Sequence, residues 1–226
     1  MTRYPDPVLA LPLDHPNPSP MARTRTVALL VFDEAEVLDV AGPFEVFSVA
    51  GRRHGLEPFR VVLVAERPGP VTLRGGFTVQ PHHLLAEAPV AEILLIPGGF
   101  GTRRELHNTG LIDWIRGAAG RAELVLSVCT GSLLLGKAGL LDGLQAATHH
   151  AAVGLLRDVA PGALIREGER FLDNGRVITS AGVSAGLDMS LHVVERLLGT
   201  ELAEETASYM EYHWDRNEEG LRDEGV

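Results

Sequence analysis

A single cysteine, Cys129, and a single lysine, Lys137, stand in a chain of 226 residues. One thiol excludes an intramolecular disulfide and any multi-cysteine zinc or iron–sulfur site, so Cys129 is either a small buried hydrophobe or a nucleophile. No apolar run reaches about 18 residues, so no transmembrane helix is expected. Positive charge is scarce: 20 Lys and Arg stand against 30 Asp and Glu, and the net charge of −10 is spread along the chain. Phosphate binding needs clustered cations, so a general nucleic-acid surface is not expected. There is no internal repeat, no interior low-complexity stretch and no charged-then-apolar leader. With an unpaired thiol, this suits a reducing cytoplasm.

What is present is enough apolar residue, 45% of the total, to bury a full core. A proline-rich stretch opens the chain, and residues 1–22 are expected to be a flexible extension, with Met21 as an alternative start. Residues 23–226 are expected to form one domain. Apolar runs at Thr26–Phe32, Phe59–Ala65, Glu92–Ile96 and Leu124–Leu126 suit central strands of a parallel sheet. Between them fall segments with helical spacing, one running to about Gly51 with Phe44, Val46, Phe47 and Val49 on its buried face, another over Thr109–Ala119. Val71–Arg74 and Phe77–Val79 are expected to pair as a hairpin around Gly75-Gly76. A second turn, Asp173-Asn174-Gly175, is expected between strands Ala163–Arg166 and Arg176–Thr179. Two further helices are expected, one from the Ser180–Gly186 segment to Leu198 and one over Glu201–Trp214. Strands alternating with helices give an α/β layer sandwich with a mostly parallel sheet.

The chain is organised around Cys129. Leu124-Val125-Leu126 runs straight into it, and Thr130-Gly131-Ser132 opens a helical segment behind it. This is the layout of a nucleophile elbow, in which a buried strand stops, the backbone turns sharply and a helix begins under the reactive side chain. A thiol at a helix N-terminus is expected to favour its thiolate. Asp39, between Leu38 and Val40, is an unusual place for a carboxylate. It is either a helix N-cap or a carboxyl group aimed into a cleft at the end of the first strand, where open α/β sheets place their sites. Gly98 and Gly99 follow the third central strand. Their spacing is neither G-x-G-x-x-G nor a P-loop, but glycines allow close backbone approach with free N–H groups. His149, at a loop-to-helix junction, is a cap, a surface residue or an imidazole beside Cys129. The adjacent His82 and His83 point to different faces and do not suit a metal pair.

Five of these segments together resemble the ThiJ/PfpI superfamily, also described as class I glutamine amidotransferase-like. They are Leu38–Pro43, Ile96–Gly99, Ser127–Ser132, Thr148-His149 and Thr179–Gly182. The pairing of Asp39-x-x-Gly42-Pro43 with Cys129-Thr130-Gly131-Ser132 is most similar to the branch that holds isonitrile hydratases and the amidotransferase-like sensor domains of AraC-type regulators. The resemblance implies a flavodoxin-like three-layer sandwich, a homodimer, and Cys129 as nucleophile with Asp39 as its acidic partner. It implies an oxyanion hole built from the Gly98-Gly99 loop and the Thr130 amide, with the Thr130 hydroxyl and His149 available to the substrate. Proteolytic members carry His directly after the nucleophile; Thr130 stands there, which argues against a peptidase. Where the hydratase pattern has Trp after the histidine, this chain has His150, which changes the pocket wall.

The expected activity is therefore a cysteine-dependent hydration or hydrolysis of a small electrophilic substrate, with isonitrile hydration as the specific reading and no metal or organic cofactor required. Two rivals stand beside it: a non-enzymatic redox or ligand sensor, and a glyoxalase or deglycase acting on reactive aldehydes. The regulators carry a helix-turn-helix region after this domain, whereas the sequence here ends in acidic residues, so direct DNA binding is not expected. A membrane partner is not expected either.

Overall fold

The computed structural model describes residues 23–215. The expected N-terminal extension and the acidic end of the chain lie outside that range.

The sheet has seven strands. Across it they run Phe171–Asp173, Val177–Ser180, Leu124–Ser127, Ile93–Ile96, Arg25–Leu30, Phe59–Ala65 and His83–Leu84. All neighbours are parallel except the first pair. The five central strands carry the 2-1-3-4-5 order of a flavodoxin-like fold. Their sequences read as continuous Val, Leu and Ile runs because helices cover the sheet and leave no wet face. Leu124–Ser127 and Ile93–Ile96 are buried at every position.

Two helix groups provide the cover. Val37–Val49 packs against Ala185–Leu198, and both meet Thr200–Tyr209. Gly42 lets the first two approach closely, since a Cβ there would stand 3.1 Å from Leu187. In the other group Gly131–Lys137 packs against both Thr109–Ala119 and Val153–Val159. Thr109–Ala119 spans the expected residues, and the Asn108 side chain caps it by accepting the Leu111 amide at 3.2 Å. Among the described residues no helix is long and apolar enough to cross a membrane.

Local structure differs from expectation in three places. The expected strand at Ala163–Arg166 does not pair across the Asp173–Gly175 turn. Leu164–Ile165 pairs with Gln145–Ala146 in a separate ribbon, and Phe171–Asp173 is the antiparallel partner of Val177–Ser180. Ser180 ends the preceding strand and Ala181–Ser184 is a bent connection rather than helix, with the next helix starting at Ala185. The last helix ends at Tyr209, and beyond it Tyr212 turns inward to donate its hydroxyl to Asp188 at 2.8 Å. The first hairpin is as expected, with Gly75 and Gly76 both at positive φ.

This topology leaves the loops after Leu30, Ile96, Ser127 and Ser180 at the carboxyl ends of adjacent central strands. Strand order reverses between Arg25–Leu30 and Ile93–Ile96, the place where such sheets bind ligands. Asp39, Gly98, Cys129 and Val183 all follow from those four loops.

Candidate active site

The elbow is held from both sides. Val128 N–H donates to Ile96 O at 3.0 Å, and Cys129 N–H reaches Ala181 O at 3.0 Å and Ser180 O at 3.2 Å. The Cys129 carbonyl accepts the hydroxyls of Ser132 and Thr148, each at 3.1 Å. These bonds pin Cys129 at φ 56°, a left-handed conformation that costs a non-glycine residue roughly 1–3 kcal/mol. Gly131 makes the turn sterically feasible, because a Cβ there would lie 2.2 Å from Ile96 O. The result is a sharp strand-to-helix turn with a side chain only 5% exposed.

Asp39 sits in the first turn of Val37–Val49 and does not cap it. Glu36 is the residue at the cap position. The Asp39 side chain instead leaves its own helix: Oδ2 accepts the Gly98 amide at 2.9 Å, and Oδ1 has no hydrogen-bond partner among the described residues. The carboxyl group is fully buried. Burial pushes its pKa up to about 7, helped by the charge of Glu36 and opposed by bonds from Gly98 and Cys129. Neutral acid and carboxylate are thus both accessible near neutral pH.

The thiol does not follow the expectation from the helix terminus. Burial first, and the charge of Asp39 second, push Cys129 up to about 12. The Thr130 and Val183 amides and the Thr130 hydroxyl face the sulfur and pull the other way, but they do not win. A short helix of seven residues cannot offset the loss of water around a thiolate. In the resting site the cysteine is a neutral thiol beside a carboxyl group of intermediate acidity.

The glycine loop is close to the site but its amides are already used. Gly98 N–H holds Asp39, and Gly99 N–H donates to Thr130 Oγ1 at 2.9 Å. Thr102 donates to Gly99 O at 2.8 Å, which locks the loop from behind. Gly98 and Gly99 therefore position Asp39 and Thr130 rather than offering free donors. The amides that face the sulfur belong to Thr130 and Val183. Thr130 was expected among them; Val183 was not. It sits at φ 49° in the connection between the Val177–Ser180 strand and the Ala185–Leu198 helix, and the only sequence signal is the glycine- and serine-rich stretch Ser180–Gly186. Glycine is required at 98, where a Cβ would meet Thr130 N at 2.4 Å and Asp39 Oδ2 at 2.9 Å.

His149 packs against the connection that follows the Val177–Ser180 strand. Its ring presses on Gly182, whose Cβ would stand 2.5 Å from Cδ2, and stacks against His150 with centroids 4.2 Å apart. Nδ1 accepts the Ala151 amide at 3.2 Å. Burial, then His150 and Arg103, hold its pKa below the ordinary value. At neutral pH the ring is therefore an uncharged wall. Elsewhere, His82 Nδ1 accepts the Leu63 amide at 2.8 Å, and His83 lies with Leu84 in the short edge strand. Among the described residues, no group of three or more His, Cys, Asp or Glu is placed to hold a metal ion.

Known proteins share both sequence and fold with this chain. Residues 25–196 match the DJ-1/PfpI family. Isonitrile hydratase from Pseudomonas putida is 34% identical over 186 residues, which span 82% of this chain and 78% of that protein. The HTH-type transcriptional regulator GbdR of Pseudomonas aeruginosa is 26% identical over 195 residues, 86% of this chain but only 53% of the regulator. Among solved structures, a THiJ/PfpI family protein from Pseudomonas syringae superposes with a TM-score of 0.80 at 32% identity, covering 91% of this chain and 83% of that one.

Proposed function

The chain belongs to the DJ-1/PfpI family, and on that premise we propose that it is a cysteine-dependent hydratase converting isonitriles to N-substituted formamides. The observation that carries this reading is the pairing of a buried, half-unsatisfied Asp39, with a pKa near 7, and the Cys129 thiol. An isonitrile presents a terminal carbon that must gain both a proton and a nucleophile. A shared-proton acid and thiol supply the two together.

In the one-proton state of the pair, the thiol proton passes from Cys129 to Asp39, which delivers it to the terminal carbon as the Cys129 sulfur bonds to it. The product is a thioimidate, R–N=CH–S, with Asp39 left as a carboxylate. That carboxylate then takes a proton from water as the water oxygen adds to the same carbon. The nitrogen receives one proton from the water, the C–S bond breaks, and the carbonyl forms as the remaining proton returns to the Asp39 and Cys129 pair. One water is consumed and R–NH–CHO leaves. The Thr130 and Val183 amides, which face the sulfur, stand where charge on sulfur and on the added oxygen needs donors. No step calls for a metal or an organic cofactor. The dimer implied by the family resemblance belongs to this proposal.

The relation to HTH-type regulators supports one other reading, a ligand sensor that binds without turnover. A panel of alkyl and aryl isonitriles, methylglyoxal and a peptide, run beside Cys129→Ala, separates the readings. Formamide release that disappears in Cys129→Ala is the expected result. Saturable isonitrile binding with no product would favour the sensor, and methylglyoxal turnover without formamide release would replace the hydratase with a glyoxalase.

A further inference from the structure

Away from the active site, a cavity of about 290 Å³ opens between the sheet and the Thr109–Ala119 helix. Ala28 and Leu94, register partners on adjacent central strands, line it on the sheet side. Trp114 and Ala118, one helical turn apart, form the helix side, and the 85–91 connection, with Leu85 and Ala88, closes over it. Trp114 Nε1 fastens that cover by donating to Leu85 O at 3.0 Å. The space exists because alanine stands where larger side chains would fill a sheet-helix layer. Arg121 is the one charged residue in the lining, and it is exposed. Its guanidinium has no carboxylate partner among the described residues.

The geometry points to a second small-molecule site, for an aromatic or short alkyl carboxylate whose apolar body fills the alanine-lined cavity and whose carboxylate meets Arg121. Size supports the body: a dry cavity of roughly 150 Å³ already holds a benzene ring, and this one is larger. Apolar side chains wall this space while polar atoms make up the rest of its lining, a mixture that ligand sites also use. Chemistry supports the head group, because an unpaired guanidinium with a planar fork selects carboxylates. None of Asp39, Gly98, Thr130, Cys129 or His149 lines the cavity, so this site is separate from the proposed chemistry and does not depend on it.

The test uses phenylacetate, with phenylacetamide as its uncharged counterpart, followed by the intrinsic fluorescence of Trp114. A Trp214→Phe background removes the signal of the only other tryptophan. Phenylacetate is expected to bind saturably, to change Trp114 emission and to raise the melting temperature. Arg121→Gln should weaken phenylacetate by about tenfold, the worth of one charge-assisted bond at a partly exposed site, and leave phenylacetamide unchanged. Ala118→Leu, and independently Ala88→Leu, should abolish binding of both while circular dichroism shows the fold retained. Cys129→Ala should bind like the parent. The proposal is overturned if phenylacetate fails to bind the parent, if both filling variants bind normally, if Arg121→Gln affects acid and amide equally, or if binding is lost in Cys129→Ala.

Discussion

The Gly98 amide donates to Asp39 Oδ2 at 2.9 Å and leaves the other oxygen of that buried carboxyl group without a partner. This backbone bond fixes the group, and the other oxygen remains for a proton or a water. Replacing Asp39 with Asn keeps an acceptor for Gly98 but removes the acid. Turnover of isonitrile should fall by about 10²–10⁴-fold, the usual worth of a positioned proton carrier. The same change removes the Asp39 charge that helps push Cys129 up to about 12, so the thiol should ionise at lower pH. Thiolate absorbance titrations of parent and variant would show this opposite movement, and an unchanged rate in Asp39→Asn would sink the assignment.

Rate against pH follows from the same pair. Below about 7 both Asp39 and Cys129 hold their protons; between about 7 and about 12 the pair holds one. The one-proton state starts the reaction, so kcat/KM should rise with pH through about 7 and level off above it. A profile that falls over that range would place the working proton elsewhere.

Stability should move in the opposite direction. The folded-state pKa of Asp39 is about 7, against about 3.9 in an unfolded chain. Because the folded value is raised, the stability associated with the neutral acid is complete below the unfolded value and is lost as pH rises through about 7. The total is on the order of 4 kcal/mol, from about three pKa units. Asp39→Asn escapes this loss. Urea denaturation should therefore show the variant gaining on the parent from acid to neutral pH, with a constant difference above. A difference independent of pH would mean that the fold leaves the Asp39 pKa at its unfolded value.

Much of this site was legible from local sequence, for identifiable reasons. An apolar run entering Cys129-Thr130-Gly131 can only turn because Gly131 has no Cβ to strike Ile96 O, and that demand is written in neighbouring residues. The Thr109–Ala119 helix was equally plain, from its period and the Asn108 cap. What depends on distant partners was not. Whether Leu164–Ile165 or Phe171–Asp173 pairs with Val177–Ser180 is decided by the register of the whole sheet, and both segments are short and begin with apolar residues. The amides of Gly98 and Gly99 looked free because nothing in their own segment shows that Asp39 and Thr130 occupy them. The expected thiolate failed for the same kind of reason: the helix terminus is local, but burial and the Asp39 charge come from the fold.

Thr130 tests the shared use of that glycine loop. Its hydroxyl accepts the Gly99 amide at 2.9 Å and lies 3.1 Å from the Thr102 hydroxyl, all buried. Thr130→Val preserves shape but leaves the Gly99 donor unpaired, a cost of about 1–3 kcal/mol. Thr130→Ser should restore most of both stability and turnover. Equal melting temperatures for the parent and the Val variant would show that the Gly99 amide finds another acceptor.

His149 separates the hydratase from the aldehyde chemistry that needs a second base beside the thiol. Its Nδ1 is occupied by the Ala151 amide, its ring is pressed against Gly182, and its pKa is held low by burial and by His150. A neutral ring fixed in this way shapes the entrance without carrying the reacting proton. His149→Ala should therefore raise KM for bulky isonitriles and change kcat by less than about tenfold, far below the loss in Asp39→Asn. The pH profile should keep its rise through about 7, because Asp39 still sets it. If His149→Ala instead abolished kcat and erased that rise, the imidazole would be the working base and the role given to Asp39 would pass to it.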